Sequence, residues 1–240
     1  MTAPGSPATT LSWAAIKQYY PQQRPGFFIK ALPEHDLVYV KNPKAGSSTL
    51  MVWLNRLHTG DMTSEPERVH KDNRLPTVAD VGRRRVVRML AGGAYRFTFV
   101  RHPVRRLESV YWDKMVRSRP YRLKAAAELG LPADPELVVT FEQFLDAIEQ
   151  QDPVRDMDPH WRPQHINLMH PLVDYDLVGR LEAFETDLER LRKEAGLPSV
   201  PHVTRNASAR RSVDSVYDGR PDLLRRVEQL YARDMELYGY

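Results

Sequence analysis

Apolar residues recur along this chain with two different periods. Short continuous runs, Phe27 to Ala31 and Leu37 to Lys41, flank the turn-forming Pro33-Glu34-His35-Asp36 and predict two strands. Leu50, Trp53, Leu54 and Leu57 then fall at i, i+3, i+4 and i+7, the stripe of a helix, which Gly60 closes. Thr77 and Asp80 have the spacing of a capping box, opening a helix toward Leu90 that Gly92-Gly93 ends. Arg96 to Val100 reads as a strand. Pro103 sits where a first-turn proline belongs, with Val104, Leu107, Val110 and Tyr111 as the apolar stripe behind it. Thr140 and Gln143 form a second capping box, for a helix through Glu149. Tyr175 to Gly179 predicts another buried strand, and Phe184 to Glu194 a helix stopped by Gly196. A last helix is expected from Pro221 to Leu237, with Leu224, Val227, Leu230 and Tyr231 on one face. Strands alternating with helices imply an α/β domain with a mostly parallel sheet.

Composition narrows this picture. The 240 residues are 42% hydrophobic and 28% charged, which fits one globular domain with a sizeable core. Residues 1–10, rich in Pro, Ser, Thr and Ala, are expected to be a disordered tail, leaving 11–240 as the domain. No apolar run has the length of a membrane helix, and the N-terminus lacks the pattern of a secretory signal, so a cytoplasmic location is expected. The absence of cysteine excludes disulfides and thiolate metal sites. A net charge of +4 is modest; it fits either an ordinary solubilising surface or a polyanionic partner.

Two segments carry chemistry. In the first, an apolar strand runs into Pro43-Lys44-Ala45-Gly46-Ser47-Ser48-Thr49 and a helix starts at once. A helix N-terminus offers unpaired N–H groups and a positive dipole end. Gly46 permits close approach of the backbone, Ser47, Ser48 and Thr49 bring hydroxyls, and Lys44 brings a charge. The order differs from a Walker A loop, in which lysine follows the second glycine. A plain capped helix after a strand is the simpler alternative. In the second segment Arg101 follows the Arg96 to Val100 strand and Ser109 lies about two turns into the next helix. Arginine's forked, permanently charged donors suit a phosphate at the carboxyl end of a sheet.

Together the two motifs resemble those of the sulfotransferases that use 3′-phosphoadenosine 5′-phosphosulfate (PAPS). The closer likeness is to the carbohydrate branch containing the chondroitin and dermatan 4-O enzymes, and more distantly to the heparan 2-O enzymes. The run Phe99 to Lys114, then Phe141-Glu-Gln-Phe144, Asp158-Pro-His-Trp161, Tyr175 to Glu182 and the ending Tyr231 to Tyr240 are similar to that branch in the same order. The likeness covers Leu37 to Tyr240. It implies a P-loop-like three-layer α/β fold with a mostly parallel central sheet flanked by helices, and transfer of a sulfuryl group from PAPS to a hydroxyl, without metal. It assigns Lys44 to the leaving group's bridging oxygen. Ala45, Gly46, Ser47, Ser48 and Thr49 would hold the 5′ phosphosulfate, and Arg101 and Ser109 the 3′ phosphate. Lacking an anchor and cysteines, the chain reads as a soluble, bacterial-like member. Its acceptor is a carbohydrate, a glycolipid or a small natural product, with no nucleic-acid partner expected.

The acceptor hydroxyl needs a base, and histidine's pKa suits the task. His70, in a region similar to that of the heparan enzymes' catalytic histidine, is the first candidate and His160 the second, with Glu65 and Glu67 weaker. Arg205, Arg210 and Arg211 are placed to close over the nucleotide. Arg83, Arg84, Arg85 and Arg88, with Arg117, Arg119, Arg122 and Lys124, form either a solvated face or an acceptor groove. Trp112, Tyr121 and Trp161 are candidates for stacking on sugar rings. Two competing readings stay open: a nucleotide-dependent kinase with a degenerate phosphate loop, and a polyanion-binding module resting on the arginines.

Overall fold

The computed structural model of the chain describes residues 10–128, 130, 134, 136–202 and 215–240. Four strands form one sheet in the order β1-β2-β3-β4: β1 Ile29–Leu32, β2 Leu37–Val40, β3 Tyr95–Val100 and β4 Leu177–Arg180. β1 and β2 pair antiparallel as a hairpin, with Ile29 opposite Val40. β2, β3 and β4 run parallel. The helices are α1 Trp13–Tyr19, α2 Pro25–Phe28, α3 Ser47–Thr59, α4 Val78–Val81, α5 Arg83–Arg88, α6 Pro103–Val110, α7 Arg119–Glu128, α8 Phe141–Glu149, α9 Gln164–Asn167, α10 Phe184–Glu194, α11 Pro221–Leu230 and α12 Ala232–Tyr238. A π-helical stretch, Tyr111–Val116, continues α6.

The alternation of side chains along the strands makes three layers. Leu37 and Tyr39 of β2, Phe97 and Phe99 of β3 and Leu177 of β4 share one buried cluster with α3 and α10. Val38, Val40, Ile29, Ala31 and Val100 share another with α1 and the segment 86–90. Each fully buried side chain of this size contributes ~1.5–3 kcal/mol. β4 lies close because residue 179 is glycine: a Cβ there would meet the Phe99 ring at 2.7 Å. A third cluster, built around Leu107, Tyr111, Phe144 and Trp161, joins α6, α8 and α11 into a helical flank.

Several boundaries differ from the sequence expectation, each for a local reason. Pro25 at the first position of α2 turns residues up to Phe28 into a helical turn, so the first strand begins at Ile29. The capping box at Thr77 forms with both of its hydrogen bonds, yet the helix stops after one turn because Gly82 adopts φ 86°. α5 then restarts and ends in a π-helical turn at Gly93. The final helix breaks at Tyr231, whose backbone leaves the helical region (φ −111°, ψ 21°) while its hydroxyl donates to the Trp161 carbonyl. Among the described residues no helix is long and apolar enough to cross a membrane.

Candidate active site

The parallel strands direct their carboxyl ends to one side of the molecule, and a cavity of about 1690 Å³ opens there. Ligand sites commonly measure ~300–1,000 Å³, so this one has room for two substrates. Lys44, Gly46, Ser47, Ser48, Thr49, His70, Arg101, Ser109 and His160 all line it, although they come from distant stretches of the chain. Ala45 is fully buried and does not line the cavity.

The turn between β2 and α3 is held under strain. Lys44 has φ 68°, a conformation unusual for a side-chain-bearing residue, and Gly46 caps α3 at φ 77°. The cap is therefore glycine in a left-handed conformation, and no side chain makes a capping hydrogen bond to the helix start. A Cβ on Gly46 would press on Leu181 and Phe184 at 3.1 and 3.3 Å, and at φ 77° a side chain here is strained as well. What fixes the turn from beneath is Arg106, fully buried on α6. Its guanidinium donates to the carbonyls of Pro43, Pro159 and Arg162, each at 3.0 Å.

The second motif is joined to the first by Gln164. Its Oε1 accepts from the Asn42 side chain at 2.8 Å and from the Arg101 backbone N–H at 3.0 Å, and its Nε2 donates to the Arg101 carbonyl at 2.8 Å. Asp234 in turn accepts from the Gln164 backbone at 2.6 Å. One buried carboxamide thus ties the segment before Lys44 to the backbone of Arg101. Burial holds the Arg101 guanidinium below its ordinary pKa, partly offset by Glu182 and Glu108, but it stays a cation at any physiological pH.

Lys44 Nζ lies 3.1 Å from Asp113 Oδ2, and Lys114 lies 3.4 Å from the same oxygen. Burial lowers the Lys44 pKa and Asp113 raises it back in part. Burial works against the charge on Asp113, yet the two lysines keep its carboxyl below the ordinary value. The two histidines sit differently. His70 Nε2 is 3.1 Å from the Ser48 hydroxyl, and its Nδ1 is buried without a hydrogen-bond partner among the described residues. Burial, with Lys41 and His160 nearby, pulls its pKa down to about 4. His160 Nδ1 is 2.6 Å from Asp158 Oδ1. Burial lowers its pKa too, and Asp158 opposes the shift. A carboxylate on Nδ1 leaves Nε2 as the acceptor and stabilises the imidazolium that forms on proton uptake.

Other sequence candidates fall elsewhere. Glu65 and Glu67 are exposed and outside the cavity lining. Trp161 is buried in the helical flank, 2% exposed, and offers no face to a sugar, whereas Trp112 and Tyr121 line the cavity. Arg83, Arg84, Arg85 and Arg88 are exposed on α5 away from the cavity, Arg122 donates to the Met115 and Val116 carbonyls, and Arg117 does line the cavity. Arg205, Arg210 and Arg211 lie outside the described residues. Sequence reasoning passed over Arg106, Gln164, Asp113 and Asp158. Asp113 and Asp158 sit inside motif runs, so they were within reach. Gln164 and Arg106 act through backbone contacts that leave no spacing pattern.

The turn between β2 and α3 shares one large cavity with Arg101 and Ser109, and comparison with known proteins gives the family. The chain matches the Sulfotransferase family over residues 27–240 and belongs to it. It is 30% identical over 177 residues to carbohydrate sulfotransferase 14 of Danio rerio, covering 69% of this chain and 47% of that one. The human protein of the same name is 34% identical over 116 residues, covering 45% of this chain and 30% of the relative. Carbohydrate sulfotransferase 10 of Xenopus laevis is 24% identical over 237 residues, covering 86% and 65%. The chain thus spans half or less of the length of the first two. No solved structure matches.

Proposed function

We propose that the chain transfers a sulfuryl group from PAPS to a hydroxyl of a carbohydrate acceptor. The observation that carries this reading is the Gln164 bridge, which fixes the Lys44 turn and the Arg101 turn at one spacing over a single cavity. Two anion sites at fixed separation suit a donor that is charged at both ends, and family membership supports PAPS as that donor. The start of α3 with Ser47, Ser48 and Thr49 takes the 5′ phosphosulfate, and Arg101 with Ser109 takes the 3′ phosphate.

Within this reading Lys44 opposes the negative charge that grows on the leaving phosphate oxygen. The acceptor's hydroxyl proton goes to His160 Nε2, since its Nδ1 is held by Asp158. Among the described residues His70 Nδ1 has no carboxylate partner, and His70 Nε2 holds the Ser48 hydroxyl in place. The sulfuryl group moves from the phosphate oxygen to the acceptor oxygen, leaving 3′-phosphoadenosine 5′-phosphate (PAP) and a sulfate ester. The test is transfer from radiolabelled PAPS to a panel of saccharides, with Lys44→Ala as control. Label that reaches a saccharide with the wild-type chain, and falls by ~10²–10³-fold in the variant, supports the assignment. Transfer that is unaffected by the variant sinks it.

A further inference from the structure

The Arg101 turn is held from two sides. Gln164 takes the backbone N–H and the carbonyl of Arg101. From the other side comes Glu182, in the turn that follows β4. Its Oε1 accepts the backbone N–H of His102, the residue that opens α6, at 2.9 Å. The same stretch reaches the Lys44 turn as well, since Leu181 and Phe184 are the side chains packed over Gly46. Glu182 lines the cavity together with Arg101. A negative charge at that place opposes any phosphate that Arg101 takes, so its presence calls for a reason. Its two oxygens each accept from a neutral donor: the His102 N–H on Oε1, and the Tyr240 hydroxyl on Oε2 at 3.1 Å.

Tyr240 reaches Glu182 because the chain folds back after α12. Gly239 stands at φ 65°, in the left-handed region, and the Tyr240 N–H donates to the Met235 carbonyl at 3.0 Å. Arg180, the last residue of β4, donates to the Tyr238 carbonyl at 2.6 Å and to the Gly239 carbonyl at 3.3 Å. A Cβ on Gly239 would lie 3.1 Å from that guanidinium nitrogen. The Tyr240 ring centroid is 5.0 Å from the Arg180 guanidinium carbon and 5.0 Å from the His102 ring centroid. The phenol is thus held by its backbone, by a cation and by an imidazole, and its hydroxyl points to the carboxylate that grips His102.

We propose that Glu182 and Tyr240 are positioning residues for the 3′-phosphate end of the donor: Tyr240 fixes the Glu182 carboxylate, and Glu182 fixes the backbone that carries Arg101. This rests on the sulfotransferase reading, which gives Arg101 the 3′ phosphate. An arginine on a fixed backbone loses less freedom when it closes on a phosphate. Two roles for Glu182 predict opposite signs. As a bare negative charge it weakens phosphate binding, and its removal tightens PAP. As a positioning group its removal loosens the turn and weakens PAP.

The experiment is calorimetric titration of the full chain with PAP and with adenosine 5′-phosphate, which lacks the 3′ phosphate. Tyr240→Phe keeps the ring and removes one hydroxyl. It should weaken PAP by ~two- to tenfold, the worth of one hydrogen bond, and leave adenosine 5′-phosphate unchanged. Glu182→Ala should weaken PAP by more than Tyr240→Phe does, again without changing adenosine 5′-phosphate. Adding Tyr240→Phe to Glu182→Ala should cost nothing further, because the hydroxyl acts through the carboxylate. Glu182→Gln keeps an acceptor for the His102 N–H and loses the charge, so it should bind PAP at least as tightly as the wild type. Tighter PAP binding by Glu182→Ala, unchanged PAP binding by Tyr240→Phe, additive losses in the double variant, or equal weakening of both nucleotides would overturn the proposal. Wild-type binding of PAP no tighter than that of adenosine 5′-phosphate would instead overturn the sulfotransferase reading beneath it.

Discussion

Lys44 Nζ and Asp113 Oδ2 are 3.1 Å apart across the cavity wall, one from the β2–α3 turn and one from the π-helical stretch after α6. The cation assigned to the leaving group is therefore already engaged by a carboxylate. An incoming phosphosulfate has to compete with Asp113, which stays ionised because Lys114 also supports it.

Asp113→Asn removes that competition. The pair is partly exposed, so its strength falls in the range of ~0.2–1 kcal/mol. PAP should then bind up to ~fivefold tighter to the variant, with the gain shrinking at high salt. Titrations at two salt concentrations check this.

Gln164 should matter more than its lack of any charge implies. Gln164→Ala leaves the Asn42 side chain and the Arg101 backbone short of partners, at a cost of ~1–3 kcal/mol each. It also frees the two anion turns from each other. PAP affinity should fall by more than ~tenfold, and phosphate affinity, which needs only one turn, should change little. Parallel titrations with PAP and inorganic phosphate separate this from simple unfolding.

His160→Asn should lower kcat by ~10²–10⁴-fold with little change in PAP binding, as expected for loss of a general base. Activity should fall on the acid side of the pH profile as His160 protonates, at a pH below that of an ordinary histidine because burial lowers its pKa. Asp158→Asn removes the partner that opposes the burial shift and should move this limb further toward acid, with a lower kcat. His70→Gln should retain most of kcat.

His70 has a separate signature in stability. Its pKa is 6.5 in the ordinary state and about 4 in the fold. The unfolded chain therefore binds the proton more readily, and stability is lost as pH falls from 6.5 through 4. His70→Gln should show a shallower fall in Tm over that window than the wild type, measured by thermal scans in matched buffers.

The sequence made the site's charged ends readable, because each follows a strand and opens a helix. Lys44, Gly46, Arg101 and Ser109 could be placed from local order alone, and all line one cavity. The alternating strands also made the layered α/β architecture readable, apart from breaks at Gly82 and Tyr231 that depend on backbone conformation. What stayed hidden was tertiary. Gln164 acts at a sequence distance of 122 residues from Asn42. The amphipathic ring of Trp161 fits either a sugar platform or a core position by sequence; the packing of α8 and α11 around it makes it core.

The measurement that bears most directly on the central claim is calorimetric titration of PAP into the chain, with adenosine 5′-phosphate and ATP as controls. Binding that requires the 3′ phosphate, needs no metal and weakens by at least ~tenfold in Arg101→Ala is the predicted result. Equal binding of PAP and adenosine 5′-phosphate, or binding of ATP alone and only with Mg²⁺, would contradict it and bring the kinase reading forward.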